Sequence, residues 1–134
     1  MSRTAKGRVA PPPELPPDAQ RVADRVARLP GVVAQAHWEI GSQTEINGTD
    51  FYVDEQELGH IHLDGEAHIP VGDDLARVVI TRGLARRFRW SDAFIVVDTS
   101  NHERAVQLFD LRLAQIGGLD AGGLRDRVAA LAVP

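Results

Sequence analysis

His60, His62 and His68, three of the five histidines, fall within the segment Gly59-His60-Ile61-His62-Leu63-Asp64-Gly65-Glu66-Ala67-His68-Ile69-Pro70. Imidazole titrates near neutral pH and is a common nitrogen donor to Zn²⁺ and Fe²⁺. At this spacing the three could ligate one such ion, or line the polar face of an ordinary hairpin. How the backbone aims them decides between the two.

Asp64-Gly65 between two alternating segments signals a hairpin, because Gly tolerates positive φ. A two-residue loop would pair Leu63 with Glu66 and Ile61 with His68, mixing polar and apolar side chains on each face. A three-residue loop, Asp64-Gly65-Glu66, pairs Leu63 with Ala67, His62 with His68 and Ile61 with Ile69. Successive strand residues point to opposite faces. The second register therefore sends Ile61, Leu63, Ala67 and Ile69 one way and the three histidines the other, and it is the expected one.

The elements around this hairpin follow from periodicity. Residues 1–17, with Pro11-Pro12-Pro13 and Pro16-Pro17, read as a disordered Pro-rich arm. Asp18 is the expected N-cap of a helix carrying Ala19, Val22, Ala23, Val26 and Leu29 on one face, ended by Pro30-Gly31. The period then switches to two. Val32, Ala34, Ala36, Trp38 and Ile40 face one side of a strand, with Val33, Gln35, His37 and Glu39 on the other. Asn47-Gly48-Thr49 reads as a turn, and Phe51 to Asp54 as a short strand ending at Glu55-Gln56-Glu57. Tyr52, the single tyrosine, is placed to add a hydroxyl to the polar face.

After the hairpin, Gly72-Asp73-Asp74 opens a helix buried through Leu75, Val78 and Val79 and stopped by Gly83. Phe88-Arg89-Trp90 and Phe94 to Asp98 read as strands joined at Ser91-Asp92, with Phe88 and Trp90 facing the core. Phe94-Ile95-Val96-Val97 is apolar on both faces, as a central strand would be. Ser100-Asn101-His102-Glu103 has capping-box form and opens a long helix through Val106, Phe109, Leu113 and Ile116, closed by Gly117-Gly118. Residues 118–134 form a C-terminal amphipathic segment through Leu124, Val128 and Leu131. It either docks on the 18–117 domain or packs on a second copy, giving a homodimer.

The order predicts an α+β fold, a single domain built on a mainly antiparallel sheet with helices packed on one face. The other face would carry His37, Glu39, His60, His62 and His68, with Asp64 at its edge.

Within this frame the segment from Glu57 to Pro70 resembles the signature of a family of small bacterial and fungal proteins called the luciferase domain. His60, His62, Asp64, Gly65, His68 and Pro70 match its His-x-His-x-Asp-Gly-x-x-His-x-Pro pattern, with Leu63 where many relatives have Pro. Trp90, the strand from Phe94 to Asp98 and the helix through Ala105 and Phe109 fit the parts that follow, so the resemblance spans about residues 18–117. It implies an uncharacterised bacterial domain and assigns no activity.

Composition narrows the classes of function. A chain of 134 residues is long enough to bury a core without disulfides or metal. It has no cysteine, which removes thiol catalysis and Cys-based zinc sites and suits a reducing cytoplasm. No stretch approaches the roughly 20 apolar residues of a membrane span. The net charge of −4 argues against a surface that attracts nucleic acid overall. No nucleophile–base pair, phosphate-binding loop or paired-carboxylate motif stands out.

The residues therefore favour a non-enzymatic module that binds a small molecule or a protein partner through the histidine face. His37, Glu39, His60, His62, Asp64 and His68 are its candidate contacts. One alternative is a metal-dependent enzyme holding Zn or Fe through His60, His62 and His68, with Glu39 as base. His60-Ile61-His62 followed by Glu66 imitates part of a cupin motif, but cupins are all-strand jelly rolls and the predicted helices oppose that topology. The other alternative is a nucleic-acid-binding domain using Arg82, Arg86, Arg87 and Arg89, together with Arg77.

Overall fold

The computed structural model describes residue 3, residues 9–39 and residues 44–131. Ile40 and most of the first eight residues lie outside the described residues. The elements run α1 (Pro17–Ala27), β1 (Val32–Trp38), β2 (Ile46–Val53), β3 (Gln56–His62), β4 (Glu66–Ile69), α2 (Asp73–Thr81), β5 (Arg86–Arg87), β6 (Ile95–Asp98), α3 (His102–Ile116) and α4 (Ala121–Ala130). The strands form one antiparallel sheet in the order β1-β2-β3-β4-β6-β5. This is the expected α+β architecture, with β6 inside the sheet as its two-sided apolar run implied.

One sheet face is the floor of the core. Phe51, Leu58, Ile61, Ala67, Ile69, Ile95 and Val97 meet the buried sides of all four helices. Each fully buried Ile or Phe contributes about 1.5–3 kcal/mol by leaving water. Leu124 and Val128 of α4 belong to this core. The C-terminal stripe thus docks within its own chain, and its apolar side chains are not left over for a second copy.

Several local expectations change. The hairpin pairs His60 with His68 and Ile61 with Ala67, so its loop is Leu63-Asp64-Gly65 rather than Asp64-Gly65-Glu66. Gly65 (φ 92°) takes the left-handed position at the end of the loop, its N–H bonded to the His62 carbonyl at 3.0 Å. Sliding the loop by one residue shifts the pairing by two, so the sorting of faces survives for Ile61, Ala67, Ile69 and the three histidines, while Leu63, expected on the apolar face, lies in the loop and is 42% exposed. Asp64 accepts the Glu66 N–H at 2.9 Å, a turn-closing role.

Asn47-Gly48 lies inside β2 instead of forming a turn, and Gln56-Glu57 opens β3. Phe88 to Trp90 is not a strand. Pairing stops after Arg87, and Trp90 is 72% exposed with the Arg89 guanidinium over its ring, whereas we expected it to face the core. Asn101, not Ser100, caps α3, accepting the Arg104 N–H at 3.3 Å. Pro17 occupies the first turn of α1 and moves Asp18 inside the helix, where its carboxylate meets His102 at 2.8 Å.

Candidate functional site

The second sheet face gathers the histidines in cross-strand rows. Gln35, Asp50, His60 and His68 are successive register partners across β1 to β4, while Gly48 is the partner of both His37 and His62. Directly opposed side chains on adjacent strands lie about 4.5–5.5 Å apart at Cβ. The result is a packed group of imidazoles. His37 and His60 stack at 4.3 Å between ring centres and 8° between planes. His62 stands edge-on to both, at 5.0 and 4.8 Å, and lies 4.4 Å from His68. Phe88 packs against His68 at 4.8 Å, and Phe94 faces His60 at 6.2 Å.

Carboxylates orient three of the four rings. Asp50, wholly buried, meets His37 Nδ1 at 2.6 Å and accepts the Tyr52 hydroxyl at 3.0 Å. Glu57 meets His60 Nδ1 at 3.3 Å, and Glu66 meets His68 Nε2 at 3.1 Å. An ionised carboxylate only accepts, so each of these ring nitrogens carries a proton, and in the neutral tautomer the opposite nitrogen is the one with a free lone pair. His62 is half-buried and, among the described residues, has no carboxylate partner.

The spacing of Glu57 and His60 needs explanation, since residues three apart on a strand normally face opposite ways. The pairing jumps from Phe51–Gly59 to Tyr52–Glu57, leaving Leu58 as an extra residue on β3. This bulge turns Glu57 onto the histidine face.

Burial acts on His60 and His62 in the same direction. It holds the His60 ring below the usual imidazole range despite the opposing Glu57 bond. His62 is pushed down to about 3 by burial first and then by the His60, His68 and His37 charges. Glu66 is lowered mainly by its bond to His68, while the Tyr52 hydroxyl is raised by burial and by the Asp50 charge. Between the ordinary imidazole pKa near 6.5 and about 3, an unfolded chain protonates His62 before the folded one does. Stability therefore falls as pH drops through that window. Urea unfolding at pH 7 and pH 4.5 should show the loss, and His62→Gln should reduce it; an unchanged pH dependence in that variant would contradict the assignment.

Among the described residues, two groups have donor atoms all within 4.8 Å of one another: His37, His60 and His62, and Asp50, Glu57 and His60. The expected trio His60, His62 and His68 is not one of them, although His68 lies beside it. Glu39 stays apart. The β1 register breaks between His37 and Trp38, leaving Glu39 exposed, with its N–H on the Glu45 carbonyl at 2.9 Å and its carboxyl raised by Glu45. The carboxylates that do meet the histidines on these strands are Asp50 and Glu57, which the sequence did not single out.

The arginines are engaged locally. Arg86 bridges Glu66 and Asp98 at 3.4 and 2.9 Å, Arg87 meets Asp92 at 2.7 Å, and Arg77 meets Asp74 at 3.6 Å. Arg82 donates to the Ala129 carbonyl at 3.4 Å. Phe88 turns to the histidines rather than to the core, so no alternating basic and aromatic strand forms.

No described helix is long and apolar enough to cross a membrane. Neither the curated proteins nor the solved structures searched gave a match to the chain. The family comparison did: the matched segment holds Glu57, His60, His62, Glu66 and His68, while His37, Asp50 and Tyr52 precede it. As the histidine motif implied, residues 55–109 match the model of the Luciferase domain family.

Proposed function

We propose that the histidine face is a binding site whose ligand is a divalent transition-metal ion held by His37, His60 and His62. The observation that carries this reading is the convergence of their donor atoms within 4.8 Å, with the His37 and His60 rings aimed by Asp50 and Glu57 and burial holding the His60 and His62 rings below the usual imidazole range. Neutral imidazole is the ligating form, and carboxylates on the far nitrogen fix its tautomer and direction. A tetrahedral ion at about 2.0–2.1 Å from each nitrogen needs donors about 3.3 Å apart, so binding would draw the three donor atoms together and tilt the His37 and His60 rings out of their parallel stack. Three protein ligands leave a coordination position for an exogenous small molecule, so the ligand-binding and metal readings of this face become one site.

Equilibrium dialysis against Zn²⁺ tests the proposal. The chain should retain one ion, and His62→Ala should weaken binding at least tenfold while His102→Ala leaves it unchanged. Absence of retained zinc in the intact chain, or equal affinity in His62→Ala, would sink the reading.

A further inference from the structure

Arg112 sits on the core side of the sheet, on α3, yet its guanidinium closes on the bulge that shapes the opposite face. Its Nε and Nη2 both donate to the Glu57 carbonyl, at 3.2 and 3.0 Å. Nη1 donates to Gln115 Oε1 at 2.7 Å, and the Gln115 amide nitrogen donates to the Val71 carbonyl at 2.8 Å. The guanidinium is thus fixed from a second side, by a residue one turn along its own helix. At a bulge the strand ladder is interrupted, so the direction of a side chain there depends on whatever else holds the backbone. At Glu57 that hold includes two charge-assisted bonds from one planar group.

We propose that Arg112 is a positioning residue for the histidine cluster. By pinning the Glu57 carbonyl it fixes the carboxylate that orients His60, and it acts through the sheet without touching the histidines. Its effect on metal affinity rests on the site proposed above; its effect on the His60 ring does not.

The test uses the full chain carrying Arg112→Met, which keeps the stem and loses the donors. In imidazole ¹⁵N–¹H spectra of the metal-free protein, the His60 Nδ1–H signal should be lost while the His37 Nδ1–H signal, held by Asp50, persists. For Zn²⁺, Arg112→Met should weaken binding about tenfold, the lower end for an outer-shell residue. Added to Glu57→Gln it should cost nothing further, whereas added to Asp50→Asn it should cost its full factor. Arg112→Lys, with one compact donor head, should fall between wild type and Arg112→Met, and it carries the same comparisons should Arg112→Met not fold.

Retention of both ring signals, their joint loss in a folded variant, or independent effects of Arg112 and Glu57 would each overturn the proposal. Failure of the intact chain to bind zinc would remove the metal reading and leave the ring signals to decide on Arg112.

Discussion

Asp50→Ala should lower the stability of the fold by about 2–6 kcal/mol, because it takes this acceptor from two buried donors, the His37 Nδ1–H and the Tyr52 hydroxyl, at about 1–3 kcal/mol each. Asp50 is fully enclosed, with the His37 ring at 2.6 Å on one oxygen and the Tyr52 hydroxyl at 3.0 Å on the other. Removing the carboxylate leaves both groups buried without that acceptor and opens a gap between β1 and β3. Urea unfolding reads the change directly. Asp50→Asn keeps the shape and one acceptor oxygen, so its loss should be clearly smaller. A loss below about 1 kcal/mol in Asp50→Ala, the range of an exposed ion pair, would show that the carboxylate does not organise this face.

Gly48→Ala should be comparably damaging, by about 3 kcal/mol or more, because the added methyl group meets backbone that cannot step aside. A Cβ at Gly48 would collide with the Ile61 carbonyl oxygen and reach His62 Cα at 3.0 Å. Gly48 is also the register partner of His37 and of His62, so the methyl group would disturb the floor on which those rings approach. The expected result is loss of stability together with loss of the His37–His62 contact, seen in ring spectra of whatever folds. Gly117→Ala is the control. Gly117 is helical, with φ −72°, and its Cβ would meet nothing closer than 3.4 Å, so it should be neutral or slightly stabilising. Equal behaviour of the two variants would contradict the close-approach role of Gly48.

Much of the fold was legible because it depends on parity and period alone. The faces of the hairpin sorted correctly for Ile61, Ala67, Ile69 and the three histidines, since moving a loop by one residue conserves parity, but Leu63 passed from the apolar face into the loop. The helices were readable from the 3.6-residue recurrence of Ala19, Val22, Ala23 and Val26, and of Leu75 and Val79. What the sequence hid is what depends on cross-strand register. Asp50 and Glu57 reach the site through the β1–β2 pairing and through the bulge at Leu58, neither of which leaves a local mark.

Asn47-Gly48 shows the same limit from the other side. The dipeptide that favours a turn also suits a strand where two backbones must approach closely, and only the neighbouring strand tells them apart. Trp90 was misplaced for a related reason. Alternation predicted its face, but β5 ends at Arg87, three residues short of Trp90. Glu39 continues the alternation of His37, and the register break after His37 removes it from the face.

The most direct test of the metal site is X-ray absorption on the zinc-loaded chain. We expect three imidazole nitrogens at about 2.0–2.1 Å, the Zn–N distance, with two remaining in His62→Ala. A first shell dominated by carboxylate oxygens, or one that His62→Ala leaves unchanged, would contradict binding by His37, His60 and His62.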